Sequence, residues 1–179
     1  MVKNVTQREF KSTLVLIGVV LAVVLFCGVY LASVGQNFAT NQVHSQLTQE
    51  KIYFPKAGTA ALDTKEFPGL QKYAGQQVDN GAKAKAYADE FIWVHMMKAS
   101  GNKTYAEIST AAQANPKDAK LAALKSTLFQ GDMLRSSLLT AYAFSVFGQV
   151  AYWAKLALAI GGALILALVL WGAFGLRRS

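Results

Sequence analysis

Two long apolar stretches dominate the hydrophobic pattern of this chain. Leu14 to Val34 follows a short charged segment, and Leu138 to Leu176 lies near the other end of the sequence with few strongly polar residues in it. A hydrocarbon core about 30 Å thick is crossed by about 20 residues of apolar helix. Each stretch is therefore long enough to predict a membrane-spanning helix, and the more polar sequence between them predicts a separate domain.

The second stretch is longer than one crossing needs, and its tryptophans indicate which part crosses. Trp153 and Trp171 are separated by about 27 Å of helix at 1.5 Å per residue. This spacing matches one aromatic side chain at each membrane interface. We therefore predict a span at 152–176. An alternative makes 138–154 a span of its own, but no Gly or Pro turn separates that segment from Leu156.

The first stretch has an alternative interpretation as a cleaved signal peptide. The apolar core of a signal peptide has about 7 to 15 residues and precedes an Ala-x-Ala-like site. The apolar run here continues over the whole of 14–34. We therefore predict an uncleaved span.

The residues between the spans predict a small helical domain. After Gly35 no breaker occurs before Pro55, so the first helix is expected to continue to about Lys51 as a polar stalk. Residues 56–81 are rich in turn-forming residues and predict a long ordered loop. The apolar contacts expected for the stalk are Phe38, Val43 and Leu47, and those expected for the loop are Phe67, Leu70 and Tyr73.

Further helices are expected in this domain, each with its own start or stop signal. An amphipathic helix is expected from Ala82 to Gly101. A short helix follows the capping box Thr104-x-x-Glu107. Asn115-Pro116 predicts the start of the next helix, and Gly131-Asp132 is expected to end it and to begin the last, long helix. The apolar face of the first of these helices comprises Ala84, Tyr87, Ala88, Phe91 and His95.

Charge orients these segments relative to the membrane. The sequence has 18 Lys and Arg against 10 Asp and Glu, a net charge of +8, but the bases are divided among several segments, which argues against a nucleic-acid-binding patch. Bases at both ends of the chain place both termini in the cytoplasm by the positive-inside rule. The predicted segments are a cytoplasmic N-terminus 1–13, a span 14–34, an extracytoplasmic domain 35–151, a span 152–176 and a cytoplasmic C-terminus 177–179.

The predicted fold class is all-α, a two-span transmembrane hairpin of the plasma membrane with an extracytoplasmic helical bundle, whose long helices continue out of the membrane. Small residues indicate where the two spans pack against each other. The alternative is that alanine is simply common in such helices. The predicted contact residues are Gly18, Ala22, Gly28 and Ala32 in the first span and Ala159, Ala163 and Ala167 in the second.

The chain lacks the residue patterns of common catalytic and metal sites. Cys27 is its single cysteine, so no disulfide or thiolate cluster is expected within the chain. His44 and His95 fall in different predicted helices, and no nucleophile elbow, P-loop or Rossmann fingerprint occurs. We therefore predict no catalytic residue, no metal ligand and no cofactor. The residues best suited to contact a ligand or partner are Tyr87, Phe91, Trp93 and His95.

A resemblance to a known family is carried by four segments of the chain: 46–52, 86–92 with His95, 101–107 and 134–138. These segments resemble small two-span membrane proteins of actinobacteria, many of which carry the label "aromatic ring-opening dioxygenase". The resemblance implies a bacterial plasma-membrane protein and carries over no catalytic residue. Extradiol dioxygenases hold iron with two histidines and a carboxylate, which here would require both His44 and His95.

These patterns favour a non-catalytic integral membrane protein, an accessory or scaffold component that contacts the lipid bilayer and either another membrane or envelope complex or further copies of itself. One alternative is a ligand-binding or sensory domain, in which the loop 56–81 closes over a pocket beside Phe91, Trp93 and His95. Another is an iron-dependent dioxygenase component, as the resemblance suggests.

Overall fold

The computed structural model describes the backbone of residues 7–177 and the side-chain surroundings of residues 9–174. Residues 1–6 of the predicted N-terminal segment and 178–179 of the predicted C-terminal segment lie outside the described residues. The described chain is helical and contains no strand; Tyr53 and Gln77 form one isolated antiparallel bridge. The predicted all-α class is therefore confirmed at this level.

The described residues form five α-helices, and two of these helices are much longer than the others. Their bounds are α1 Gln7–Gln49, α2 Gly81–Ala86, α3 Trp93–Ser100, α4 Tyr105–Ala114 and α5 Ala119–Arg177. A π-helical segment, Tyr87–Ile92, joins α2 to α3 without a break, and two 3₁₀ turns, Ala60–Leu62 and Pro68–Tyr73, lie in the connection after α1.

The chain forms two compact units, which are described separately. The hairpin unit comprises residues up to Phe38 and those from Phe147 onward, and the helical unit comprises Ala39–Val146. Both α1 and α5 are long and apolar enough to cross a membrane. Only 6% of the most apolar window of α1 and 11% of that of α5 are buried. These helices therefore differ from the core helices of soluble proteins, most of whose apolar residues are buried.

The prediction that α1 continues beyond its apolar stretch is confirmed, since the helix runs to Gln49. Val43 and Leu47 are buried as expected, but Phe38 is 64% exposed and does not serve as a contact. The expected packing of the loop is also confirmed. Phe67 and Leu70 are buried, and Tyr73 packs against the same core.

The predicted break at Gly131-Asp132 is wrong, because α5 continues through both residues. A Cβ on Gly131 would lie 2.5 Å from Met96 Sδ, so this glycine permits close packing of α5 on α3. The predicted N-cap at Asn115 is also wrong. Asn115 ends α4, and Asp118 begins α5 by accepting from the amides of Lys120 and Leu121 at 2.9 and 3.1 Å.

The helical unit has a core of large apolar side chains. Leu128 and Leu138 of α5 are almost completely buried, and they belong to one core cluster with residues of α1, α2, α3, α4 and the loop. Burying a side chain of this size stabilises a fold by about 1.5–3 kcal/mol. The other large side chains with little or no exposed surface are Phe54, Leu62, Leu70 and Val78.

The hairpin unit is packed through small residues. Gly18 faces Val169 so closely that no Cβ fits between them, and Gly28 faces Leu158. Ala22 is 4% exposed, whereas Ala32 is half-buried. On α5, Ala159 is half-buried but Ala163 and Ala167 are exposed. The face of α5 that meets α1 therefore differs from the predicted alanine ridge, and it contains Leu158, Gly162, Ile165, Val169 and Gly172.

Candidate functional site

The most unusual local structure in the helical unit is the π-helical segment Tyr87–Ile92. It continues α2, whose N-cap Asn80 accepts from the amide of Lys83 at 3.1 Å, and it leads into α3, which ends at Gly101 with φ +64. An α-helix has 3.6 residues per turn, so side chains four positions apart are offset from each other around the helix axis. A π turn contains an additional residue, and this offset is smaller there. Segments of this kind often occur at functional sites.

The π turn aligns three of the four residues predicted to contact a ligand or partner. The ring centroids of Tyr87 and Phe91 are 4.7 Å apart, and those of Phe91 and His95 are 4.4 Å apart. Separations of this size are typical of favourable aromatic contacts. We call Tyr87, Phe91 and His95 the aromatic ladder.

Aromatic side chains from the loop and its preceding segment cover the ladder. The Phe67 ring lies flat on the His95 imidazole, with centroids 5.1 Å apart and an interplanar angle of 4°. Phe54 meets Tyr87 edge to face at 5.0 Å. Both phenylalanines are almost fully buried. Phe67 therefore occupies the position beside His95 where the ligand-binding alternative places a pocket.

Trp93 is not part of the ladder. The Arg135 guanidinium carbon lies 4.8 Å from the centroid of the Trp93 ring, a cation–π arrangement. Arg135 also donates from Nη2 to Asp89 Oδ1 at 2.8 Å. Lys85 donates to the other oxygen of Asp89 at 2.7 Å. We call Lys85, Asp89 and Arg135 the Asp89 clamp; it links the π-helical segment to α5.

The clamp sets the charge state of its carboxylate. Hydrogen bonding from Lys85, assisted by Arg135, lowers the pKa of Asp89. The same hydrogen bond raises the pKa of Lys85. An ionised carboxylate that accepts from two cations is suited to linking helices and not to donating a proton. Within the ladder, burial raises the pKa of Tyr87, which keeps this phenol neutral at physiological pH.

The two histidines are held by backbone carbonyls. His95 Nδ1 lies 2.8 Å from Phe91 O, and His44 Nδ1 lies 3.0 Å from Asp79 O. Because a carbonyl only accepts, each Nδ1 carries the donated hydrogen. Among the described residues, no group of three or more His, Cys, Asp or Glu is placed to hold a metal ion.

The hairpin unit contains a groove of about 640 Å³ on one side of its helix pair. Its walls are mostly apolar, and Lys11 is the charged residue among those that line it. Elsewhere in this unit, Lys155 donates to Gln36 Oε1 at 2.6 Å. The other residues that define the groove include Leu14, Gly18, Val169, Trp171 and Phe174.

Sequence reasoning missed the Asp89 clamp. Lys85 and Asp89 are four residues apart, a spacing that predicts a helical ion pair. Arg135 is 46 residues from Asp89 in sequence, and no local pattern indicates that these two meet. The π turn was missed as well, since aromatic residues at 87, 91 and 95 are also compatible with an ordinary amphipathic helix.

No protein-family model, no curated protein and no solved structure matches this chain. The resemblance to actinobacterial two-span proteins and the dioxygenase label therefore stay predictions.

Proposed function

We propose that this chain is an integral membrane protein that crosses the plasma membrane twice, with both termini in the cytoplasm and the helical unit outside. We further propose that it is a non-catalytic accessory or scaffold component of a membrane or envelope complex. The observation that carries the first proposal is the exposure of large apolar side chains throughout the hairpin unit. Those with the most exposed surface include Leu16, Leu31, Phe147, Trp153 and Trp171.

An apolar surface of this extent is unusual for a protein surrounded by water. A soluble monomer rarely exposes contiguous apolar patches larger than a few hundred Å². Two helices that pack through glycine and alanine and direct leucine, valine and phenylalanine outward are typical of membrane spans. The positive-inside rule, applied to the bases at both chain ends, favours cytoplasmic termini.

The proposal of a non-catalytic role is supported by the helical unit. Both oxygens of Asp89 accept from cations, and the aromatic ladder is covered by buried phenylalanines. Asp89, Tyr87 and His95 thus each have a partner within the unit. This arrangement favours a domain that presents a surface to a partner over one that encloses a substrate.

Topology is tested by cysteine labelling in intact cells. In a Cys27→Ser background, Thr110→Cys in the helical unit and Ser12→Cys in the predicted N-terminal segment are compared with a membrane-impermeant maleimide. We expect Thr110→Cys to react in intact cells and Ser12→Cys to react only after permeabilisation. The reverse pattern would overturn the orientation, and release of the protein from membranes by alkaline carbonate would overturn membrane integration.

The accessory role is tested by affinity purification from native membranes in mild detergent, with mass spectrometry and metal analysis of the same sample. We expect a stoichiometric membrane-protein partner or further copies of the chain, without bound metal. A monodisperse, metal-free monomer would contradict the proposal. Bound iron that is lost on His95→Ala would instead support the dioxygenase hypothesis.

A further inference from the structure

The groove of the hairpin unit has one of the few charged side chains of that unit in its wall. Lys11 is exposed and lines the groove, whereas Lys155 donates to a glutamine of α1. The groove thus combines an apolar concavity with a lysine. In 9–38 and 147–174, the part of the unit whose side-chain surroundings are described, the charged residues are Glu9, Lys11 and Lys155.

The groove runs along the helix pair from one end of the hairpin toward its middle. It extends from Lys11 to Gly18 on α1, about 10 Å of helix, and from Ile165 to Phe174 on α5, about 14 Å. Residues later in α1 face residues earlier in α5, so Lys11 and Phe174 lie at the same end. One leaflet provides about 15 Å, half of a hydrocarbon core about 30 Å thick. The groove therefore has about the length of one leaflet, with its lysine at the outer end.

The charge at this end of the groove is positive. Glu9 is two positions from Lys11 on α1, about 200° around the helix axis, and it is not among the residues that line the groove. A negatively charged group therefore complements this end of the groove. The segments that flank this end in sequence contain further bases, namely Lys3, Arg8, Arg177 and Arg178.

A phospholipid with an anionic headgroup has the same distribution of charge and apolar length as the groove. Its acyl chain follows one leaflet, and its phosphate lies at the interface. Anionic lipids give the cytoplasmic leaflet a negative surface potential, and basic pockets between spans on that side bind their headgroups. The Lys11 stem can pack along the apolar wall while its ammonium reaches the phosphate. The groove volume of about 640 Å³ also lies within the range of ligand sites, about 300–1,000 Å³.

A second copy of the chain fits the groove less well. Two copies anchored in one membrane have the same orientation, so a symmetric pair that met through the groove would bring Lys11 against Lys11. Two like charges in surroundings of low dielectric repel each other. An anionic lipid meets no such difficulty.

We propose that the groove binds an anionic phospholipid of the cytoplasmic leaflet, with its phosphate at Lys11 and one acyl chain against the apolar wall between Leu14 and Gly18. This inference rests on the proposed function, because the proposed topology places the groove in that leaflet. It gives the scaffold a defined lipid ligand beyond general contact with the bilayer.

Quenching by brominated lipids tests the site, because Trp171 lines the groove and is 79% exposed. Bromine on an acyl chain quenches only a tryptophan that it contacts. Trp93→Phe and Trp153→Phe leave Trp171 as the single tryptophan of the full chain. This protein is reconstituted in phosphatidylcholine vesicles that contain a minor share of either brominated phosphatidylglycerol or brominated phosphatidylcholine. We expect phosphatidylglycerol to quench as if it were enriched about fivefold at Trp171, the ratio expected for one lysine near anionic lipid.

Three variants separate binding in the groove from attraction to the basic chain ends. Lys11→Gln is expected to abolish the enrichment. Adding Ser12→Lys to Lys11→Gln restores the net charge at an exposed neighbouring position that does not line the groove, and we expect it not to restore the enrichment. Lys155→Gln removes the same charge elsewhere in the hairpin unit and is expected to leave the enrichment unchanged.

Equal quenching of Trp171 by the two lipids, or full recovery of the enrichment in the double variant, would overturn the proposal. A protein with Trp153 as its single tryptophan reports membrane insertion separately. Quenching of Trp153 without quenching of Trp171 would show that a protein surface covers the groove, and this too would overturn the proposal. If neither tryptophan is quenched, the hairpin lies outside the bilayer, and membrane integration fails together with the lipid site.

Discussion

The two units use apolar residues in opposite ways. The core of the helical unit consists mainly of large side chains such as Leu128, which has no exposed surface. In the hairpin unit small residues are inside, and large ones such as Leu164, at 62% exposed, are outside. Both leucines belong to α5. The same residue type on one helix is therefore buried in one unit and exposed in the other. The difference teaches that the surroundings, and not helix propensity, decide which face is buried.

The largest effect on stability is expected when one leucine in each unit is truncated to alanine. Leu128→Ala leaves a cavity in the packed core and is expected to lower the free energy of unfolding by about 2–5 kcal/mol. Leu164→Ala removes a side chain that few others contact and is expected to change it by less than about 0.5 kcal/mol. Denaturant unfolding in detergent, followed by helical circular dichroism, measures both. Equal losses would show that the hairpin unit depends on large side chains as well.

Replacing either of two glycines of the hairpin unit by alanine is expected to have a smaller effect on stability. The two replacements are expected to act in opposite directions. A Cβ at Gly18 collides with Val169, whereas one at Gly35 has nothing within 4 Å. We expect Gly18→Ala to destabilise the helix pair by about 1–3 kcal/mol through overpacking. Gly35→Ala is expected to stabilise it by up to about 1 kcal/mol through helix propensity. Unfolding by titrated sodium dodecyl sulfate separates the two, and a loss at Gly35 as large as that at Gly18 would contradict packing through glycine.

The smallest effect concerns the Asp89 clamp of the helical unit. Asp89→Asn removes the carboxylate charge that pairs with both Lys85 and Arg135. Because these ion pairs are partly exposed, we expect the substitution to lower the free energy of unfolding by about 1 kcal/mol at neutral pH. Folding lowers the pKa of Asp89. Its contribution to the free energy of unfolding is therefore present at pH values above the pKa of the unfolded state, about 3.9. This contribution is lost as the pH falls through the lower pKa of the folded state.

The stability difference between wild type and Asp89→Asn should therefore narrow in acid. Unfolding curves at neutral pH and near pH 3 measure it, with Glu90→Gln as the control for loss of a neighbouring exposed carboxylate. A difference that stays constant over this range would assign the effect to packing and not to charge.

Local signals in the sequence determined a large part of this fold. The capping box at Thr104 forms as expected, with Thr104 N donating to Glu107 Oε2 at 2.8 Å. Gly101 ends α3 in the left-handed conformation, and α1 continues without a break as far as Gln49. Each of these features depends on residues within a few positions of one another, so the sequence alone contains the physical cause.

Only the tertiary structure decided features that depend on distant residues. Gly131 was expected to break a helix because an isolated glycine weakens one, but the space beside it is filled by Met96, and the packing outweighs the propensity. Arg135 reaches Asp89 and Trp93 because the fold brings α5 beside the π-helical segment. The face by which α5 packs on α1 was likewise missed, since small residues occur on more than one side of that helix. In each case the deciding energy comes from contacts between segments far apart in sequence, which local patterns do not contain.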